Sequence, residues 1–375
     1  MSAGVYLHIP FCKSRCSYCD FATDVYTNSD AVKRYVRALR AEVSAWRPVE
    51  SGTQNADTIY FGGGTPSLLS VEQVGQILTA VRRKFDVAAD AEVTMEMNPA
   101  TVTPETLAGY RSLGVNRASF GVQTFNECHL KLLARGHSAD DARNTFKLLR
   151  NAGFDNTSFD LIIGLPGQTL EDWENNLDHA LAMEPEHLSL YLLEIHEGTP
   201  LAVQLKSGRR PMPDEQLAAE MYELMQKRVD ASLFVQYEIS NFAKPGYESK
   251  HNSKYWRLEP VYGFGVSAHS FDGRQRYAND RDTARYSAAI EGGSTAEVFR
   301  EDILAESEFI FLGLRLSAGI ALSEYRDRFG EDLEEKYRNE LSELLAAGLI
   351  SVGQNTLKLT RKGMLFSNEV FTAFV

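Results

Sequence analysis

Six short runs rich in β-branched and aromatic residues, each spaced for a strand and most followed by a helical pattern, restrict this chain to an α/β architecture. Residues 5–9, 57–61, 92–97, 116–120, 158–163 and 187–193 read as strands. Residues 30–46 read as a helix, with Val32, Val36, Leu39 and Val43 on one stripe. Further helices are expected over 103–113, 140–151 and 170–183, and another after Ser70, a suitable N-cap with Glu72 in the first turn. Repeated β–α alternation is most simply met by a parallel sheet with helices outside, here a partial (β/α)6 barrel. Such barrels place their chemistry at the C-terminal strand ends. Cys12–Cys19 follow the first strand, Gly62-Gly63-Gly64 the second, and Glu96 ends the third, while Asp160 lies within the fifth.

The alternation defines a first domain over residues 1–200. Residues 201–300 are less regular and rich in aromatics and glycine, and are expected to pack as an extension beside the barrel. Residues 301–375 read as a separate α-helical, winged-helix-like domain. Leu333, Tyr337, Leu341 and Leu344 form its helical stripe, and residues 349–360 its β-wing. Winged helices often bind DNA, but this segment holds 8 Lys and Arg against 13 Asp and Glu. The whole chain carries a net charge of −12, and its basic clusters are short. Such a field repels nucleic acid, so no nucleic-acid partner is expected.

No apolar run is long enough for a membrane span. The first residues lack the basic and apolar regions of a signal peptide, which gives a cytoplasmic expectation. Four cysteines in 375 residues make no disulfide framework. Three of them, Cys12, Cys16 and Cys19, form C-x3-C-x2-C. Clustered thiols in a reducing compartment point to a soft metal. Zinc would prefer paired C-x2-C sites and a fourth ligand. An iron–sulfur cluster held by three thiolates keeps one iron open for a ligand.

The segment YLHIPFCKSRCSYCDF resembles the cluster loop of radical S-adenosylmethionine (SAM) proteins, in particular the branch of oxygen-independent coproporphyrinogen III dehydrogenase. The resemblance runs over essentially the whole chain. It implies a radical SAM barrel with a [4Fe–4S] cluster on Cys12, Cys16 and Cys19 and SAM on the open iron. It assigns SAM contacts to Tyr6, Tyr18, Gly63, Gly64, Thr65, Glu96, Gln123, Arg135 and Asp160. These residue types suit the ligand: carboxylates for ammonium or ribose hydroxyls, and arginine for a carboxylate.

Two departures separate the chain from the dehydrogenases. Those enzymes carry C-x3-C-x2-C-x-C, and here Phe21 occupies the last position. They also have an extension before the first strand, which here starts almost at Met1. Both features match the HemW-type heme chaperones. The segment HNSKYW resembles that family's heme-associated motif and makes His251 the expected heme ligand, with Tyr255 a weaker second. Read alone, a histidine in an aromatic loop is more often structural, as His269 is taken to be.

The expected function is therefore heme binding and transfer rather than turnover. The partners implied are heme, a heme-accepting apoprotein of which membrane-associated respiratory proteins are one class, and a low-potential electron donor. The alternatives are radical decarboxylation of coproporphyrinogen III and methyl transfer on the same scaffold.

Overall fold

The computed structural model describes residues 2–26, 28–48 and 53–374. Six parallel strands form its centre: β1 (Ala3–Ile9), β2 (Asn55–Gly63), β3 (Asp86–Met97), β4 (Arg117–Gln123), β5 (Thr157–Ile163) and β6 (His187–Leu192). Side chains alternate across each strand. On β1, Val5, Leu7 and Ile9 face the outer helices and are fully buried. Tyr6 and His8 face the other way, into the lumen of a partial barrel. The same alternation sends Tyr60, Glu96, Arg117 and Asp160 inward, so the lumen is lined by polar and aromatic groups. The sequence expectation of a partial (β/α)6 barrel holds.

Local signals fix the helices between these strands. Ser70, Thr103, Ser138 and Thr169 each cap a helix in a reciprocal capping box. A cap of this kind contributes about 1 kcal/mol and sets where the helix begins. The expected boundaries agree within one or two residues. A short helix, Glu127–Leu132, lies between β4 and the helix Ala139–Asn151 and has too few turns to show a period in the sequence.

Residues 201–300 join the barrel sheet rather than lying beside it. β7 (Val235–Glu238) and β8 (Asn241–Ala243) add antiparallel to β6. β9 (Val261–Phe264) pairs parallel with β1, and β10 (His269–Phe271), β11 (Gln275–Asn279) and β12 (Glu297–Asp302) continue antiparallel. The full order is β12-β11-β10-β9-β1-β2-β3-β4-β5-β6-β8-β7. These strands have three to six residues, too short for alternation to register in the sequence.

The C-terminal residues fold into helices and a three-stranded sheet in which Ile350–Val352 and Thr356–Leu359 form the expected wing. The expected stripe spans two helices, Leu333–Lys336 and Arg338–Ala346, which break at Tyr337. This unit packs on the barrel through Arg315, whose guanidinium lies 4.3 Å from the Trp256 ring centroid and 3.3 Å from the Glu238 carboxylate. Among the described residues no helix is long and apolar enough to cross a membrane.

Candidate functional site

The chain leaves β1 through Pro10 and enters the cysteine loop, which is pinned to its surroundings at several points. The backbone N–H groups of Gly64 and Thr65 donate to the carbonyls of Ile9 and Phe11, and Leu201 N–H donates to Ser17 O. The turn after β2 needs its glycines. Gly63 has φ +109°, and a Cβ there would lie 2.6 Å from the His8 ring. A Cβ on Gly64 would lie 2.8 Å from the Pro10 carbonyl carbon. A larger residue would have to displace the His8 ring in the first case and backbone in the second.

Cys12, Cys16 and Cys19 are free thiols, each partly exposed. Thr65 Oγ1 lies 3.5 Å from Cys12 Sγ, and Arg135 Nη1 lies 3.4 Å from Cys16 Sγ. Burial pushes the Cys12 thiol up to about 11 and raises that of Cys19. Among the described residues no three Cys, His, Asp or Glu side chains stand together in metal-ligand geometry. The thiols of Cys12 and Cys16 are turned instead to Thr65 and Arg135. For Cys12 the Thr65 hydroxyl opposes the rise that burial causes.

Cys16, Thr65, Asn98, Arg135 and His137 line one open cleft. Asn98, which the sequence reading passed over, ties this cleft together. It donates to Thr65 Oγ1 at 2.7 Å and accepts from Arg135 Nη2 at 2.6 Å. Arg135 Nη2 also donates to Gly121 O at 2.6 Å. The position of Asn98 two residues after Glu96, in MEMNP, was the available signal.

Deeper in the lumen, Glu96 accepts from the Tyr60 hydroxyl at 2.7 Å and from Gly63 N–H at 3.0 Å. Burial raises its carboxyl to about 7, with the Tyr60 hydrogen bond opposing. Burial also raises Asp160, opposed by Ser189, Arg117 and Arg135. Gln123 closes β4 at φ +67°, a left-handed conformation uncommon for a residue with a side chain. Tyr6 bonds His8 at 3.0 Å, and Tyr18 packs against the cluster of Leu132, Ile162, Leu165 and Leu201. All nine side chains and glycines named for SAM thus fall on one lumen and its mouth.

The buried hydrogen-bond ledger of this lumen does not close. Arg117 is 1% exposed, yet its Nε and Nη2 have no hydrogen-bond partner among the described residues. Arg135 Nε is unpartnered as well. A guanidinium cannot neutralise itself by losing a proton, so such donors call for an anionic or carbonyl partner from outside the chain. The donor set fits a ligand with a carboxylate end, and three soft thiols at the mouth fit an iron–sulfur cluster.

His251 is not part of this opening. The helix Lys250–Trp256 closes the lower end of the lumen, and His251 is 1% exposed. Its Nδ1 lies 2.8 Å from Thr58 Oγ1 and its Nε2 3.2 Å from the Tyr255 hydroxyl. Its ring stacks on Tyr60, and Glu92 accepts from its backbone N–H. Burial, then Lys254 and Arg117, lower its pKa to about 3. The structure holds this imidazole neutral, enclosed and fully bonded. Tyr255, the weaker expected ligand, is its hydrogen-bond partner. His269, expected to be structural, is exposed.

Residues 6–180 match the Radical SAM superfamily and residues 304–366 the HemN C-terminal domain. The chain is 38% identical over 378 residues to heme chaperone HemW of Bacillus subtilis, covering 99% of both chains. It is 34% identical over 380 residues to heme chaperone HemW of Escherichia coli, covering 99% of this chain and 98% of that one. The structure of E. coli coproporphyrinogen III oxidase HemN, a radical SAM enzyme, superposes with a TM-score of 0.86 over 100% of this chain and 90% of that chain, at 23% identity. That likeness concerns the fold. Sequence identity at this level over the full length of both chains shows that the protein belongs to the HemW family within the radical SAM superfamily.

Proposed function

We propose that this protein binds heme and passes it to an acceptor protein, and that it carries a [4Fe–4S] cluster on Cys12, Cys16 and Cys19 with SAM in the adjoining lumen. The observation that carries the heme reading is the full-length similarity to relatives named heme chaperones, among them one at 38% identity. Phe21 adds to it. It stands where the dehydrogenase pattern has a cysteine, and at 65% exposure its ring faces solvent.

Within the SAM reading each residue has a defined task. Arg135, held by Asn98 and the Gly121 carbonyl, presents its remaining donors to the methionine carboxylate. Glu96 is oriented by Tyr60 and Gly63 and receives the ammonium group together with the Gly63–Thr65 backbone. Asp160 and Gln123 take the ribose hydroxyls, and Tyr6 and Tyr18 wall the ligand. When bound, the cluster and SAM supply one-electron chemistry at the sulfonium. The enclosure of His251 supports a role in holding the barrel floor rather than in meeting iron.

The test is an anaerobic hemin titration of the cluster-reconstituted protein, followed by absorption. Saturable binding at one site is expected. Absence of saturable binding would overturn the heme reading and return attention to turnover of coproporphyrinogen III.

A further inference from the structure

One buried cation of the lumen has no task in the SAM reading. Arg117 opens β4 on its inward face, and its Nε and Nη2 are unpartnered. These two nitrogens share one edge of the guanidinium, the edge that grips a carboxylate with two parallel hydrogen bonds. No carboxylate stands in ion-pair contact with Arg117 among the described residues. The strand register sets it beside Thr94 of β3, which is fully buried and whose Oγ1 is unpartnered as well. Register partners on neighbouring strands share a face, so both side chains offer unused donors to the same part of the lumen.

The surrounding groups do not supply the missing acceptor. His187 is bonded at both nitrogens, to Ser158 at 2.7 Å and to Tyr237 at 2.8 Å, and His251 is bonded to Thr58 and Tyr255. Burial, with Arg117 among the lesser causes, keeps both imidazoles neutral. Lys254, the other cation near His251, is paired with Asp57 and Glu259, each at 2.9 Å. Glu96 and Asp160 lie in the field of Arg117 but are engaged elsewhere, Glu96 by Tyr60 and Gly63, Asp160 by Ser119 and Ser189. The carboxylate of SAM does not reach this point either. Arg135, its proposed partner, is fixed at the Gly121 carbonyl, about 13 Å further along β4. A guanidinium stays charged, and an enclosed charge is stable only with a partner.

We propose that Arg117, with Thr94, forms a carboxylate subsite in the lower lumen that holds one propionate of heme. This inference rests on the heme-binding reading above and sets an acid group of the ligand beside the helix Lys250–Trp256. SAM brings one carboxylate, which Arg135 takes, and heme brings two, so the second guanidinium has a group to serve. With SAM bound, its ammonium occupies Glu96 and its sulfonium adds positive charge, which strengthens the pull of Arg117 on an anion. Arg117 is 1% exposed in the free protein. The propionate therefore enters as the seven-residue helix that closes this end gives way.

The experiment titrates hemin and hemin dimethyl ester, in which both propionates are neutral, into cluster-reconstituted full-length wild type, Arg117→Met and Thr94→Val, read by absorption. Wild type is expected to bind hemin roughly tenfold more tightly than the ester, the scale of one charge-assisted pair. Arg117→Met should bind both alike, at the strength of the ester. Methionine removes an unpaired buried charge, and cluster content and circular dichroism check that the variant folds. Thr94→Val, a change of nearly equal volume, should lose part of the preference and decides the case if the methionine variant does not fold. Hemin should also alter amide hydrogen exchange over residues 250–256. A full preference for hemin in either variant, or exchange over 250–256 untouched by hemin, would overturn the inference while leaving the heme reading in place. Failure of the wild type to bind hemin would remove both. Sodium formate tests the other source of a carboxylate. If it raises the melting temperature of heme-free wild type but not of Arg117→Met, while hemin and its ester bind alike, the occupant is a free small anion and the assignment to heme falls.

Discussion

The imidazole of His251 lies on the ring of Tyr60, with centroids 5.0 Å apart and planes 27° from parallel, and Tyr60 passes its hydroxyl to Glu96 at 2.7 Å. A motif distant in sequence thus braces the carboxylate proposed to hold the SAM ammonium. His251→Ala would leave Thr58 and Tyr255 hydroxyls unpaired and open a void against Tyr60. A loss of about 3 kcal/mol is expected, from the sum of the void and the unpaired groups. Thermal and denaturant unfolding measure it. A variant as stable as wild type would contradict a structural role for this histidine.

Glu96 and Glu42 both have carboxyls raised by burial to about 7. Glu42 accepts from Gly265 N–H and Tyr286 and so anchors the turn into β10. For each, folding raises the pKa from an ordinary value of 4.5. Below the unfolded value both states are protonated and the groups are neutral to stability. As pH rises through the window between about 4.5 and 7, the unfolded chain ionises first and stability falls, then levels off above it. Each group contributes on the order of 3 kcal/mol to that fall, the size expected for a shift of this extent. Glu96→Gln should flatten part of the slope in a urea-unfolding series across this range. An unchanged slope in both Glu96→Gln and Glu42→Gln would refute the account.

The same carboxylate predicts the pH dependence of SAM binding. Only ionised Glu96 attracts an ammonium group, so affinity should rise with pH through about 7. Calorimetric titration at several pH values follows it. Glu96→Gln should bind more weakly and lose the dependence.

Arg135→Lys tests the fork at the mouth. Lysine keeps the charge but cannot serve Asn98, Gly121 O and the Cys16 thiol together. SAM affinity is expected to drop by about 2 kcal/mol, roughly thirtyfold, the scale of a lost charge-assisted pair. Ligand binding at wild-type strength would argue against Arg135 as the carboxylate partner.

Cys12→Ala, Cys16→Ala and Cys19→Ala should each abolish the iron–sulfur absorption and bound iron while leaving the far-ultraviolet circular dichroism unchanged. Those thiols are partly exposed and carry little of the core. A full cluster in any one variant would sink the ligand assignment.

Much of this was legible in the sequence because it rests on local signals. Ser70 and Thr103 cap helices through their own next turn, and β5 shows its hydrophobic run in Phe159, Leu161 and Ile163. The cysteine spacing is local as well. What escaped was set by distant packing. Strands β7–β12 are too short to show a period, and they exist because β1 and β6 offer unpaired edges. The role of Asn98 depends on Thr65 and Arg135 meeting across three strands. The fates of His251 and His269 turn on burial, which a motif does not encode: the first is shut in by Thr58, Tyr60 and Tyr255, the second left open at the sheet extension.

The central claim is transfer of heme rather than conversion of a porphyrinogen. The direct measurement mixes heme-loaded, cluster-reconstituted protein with a heme-free cytochrome under anaerobic conditions, and in parallel supplies coproporphyrinogen III, SAM and a low-potential reductant to heme-free protein. Heme should appear in the cytochrome, with no protoporphyrinogen formed beyond a single turnover. Repeated turnover to protoporphyrinogen with heme left on the protein would contradict the account.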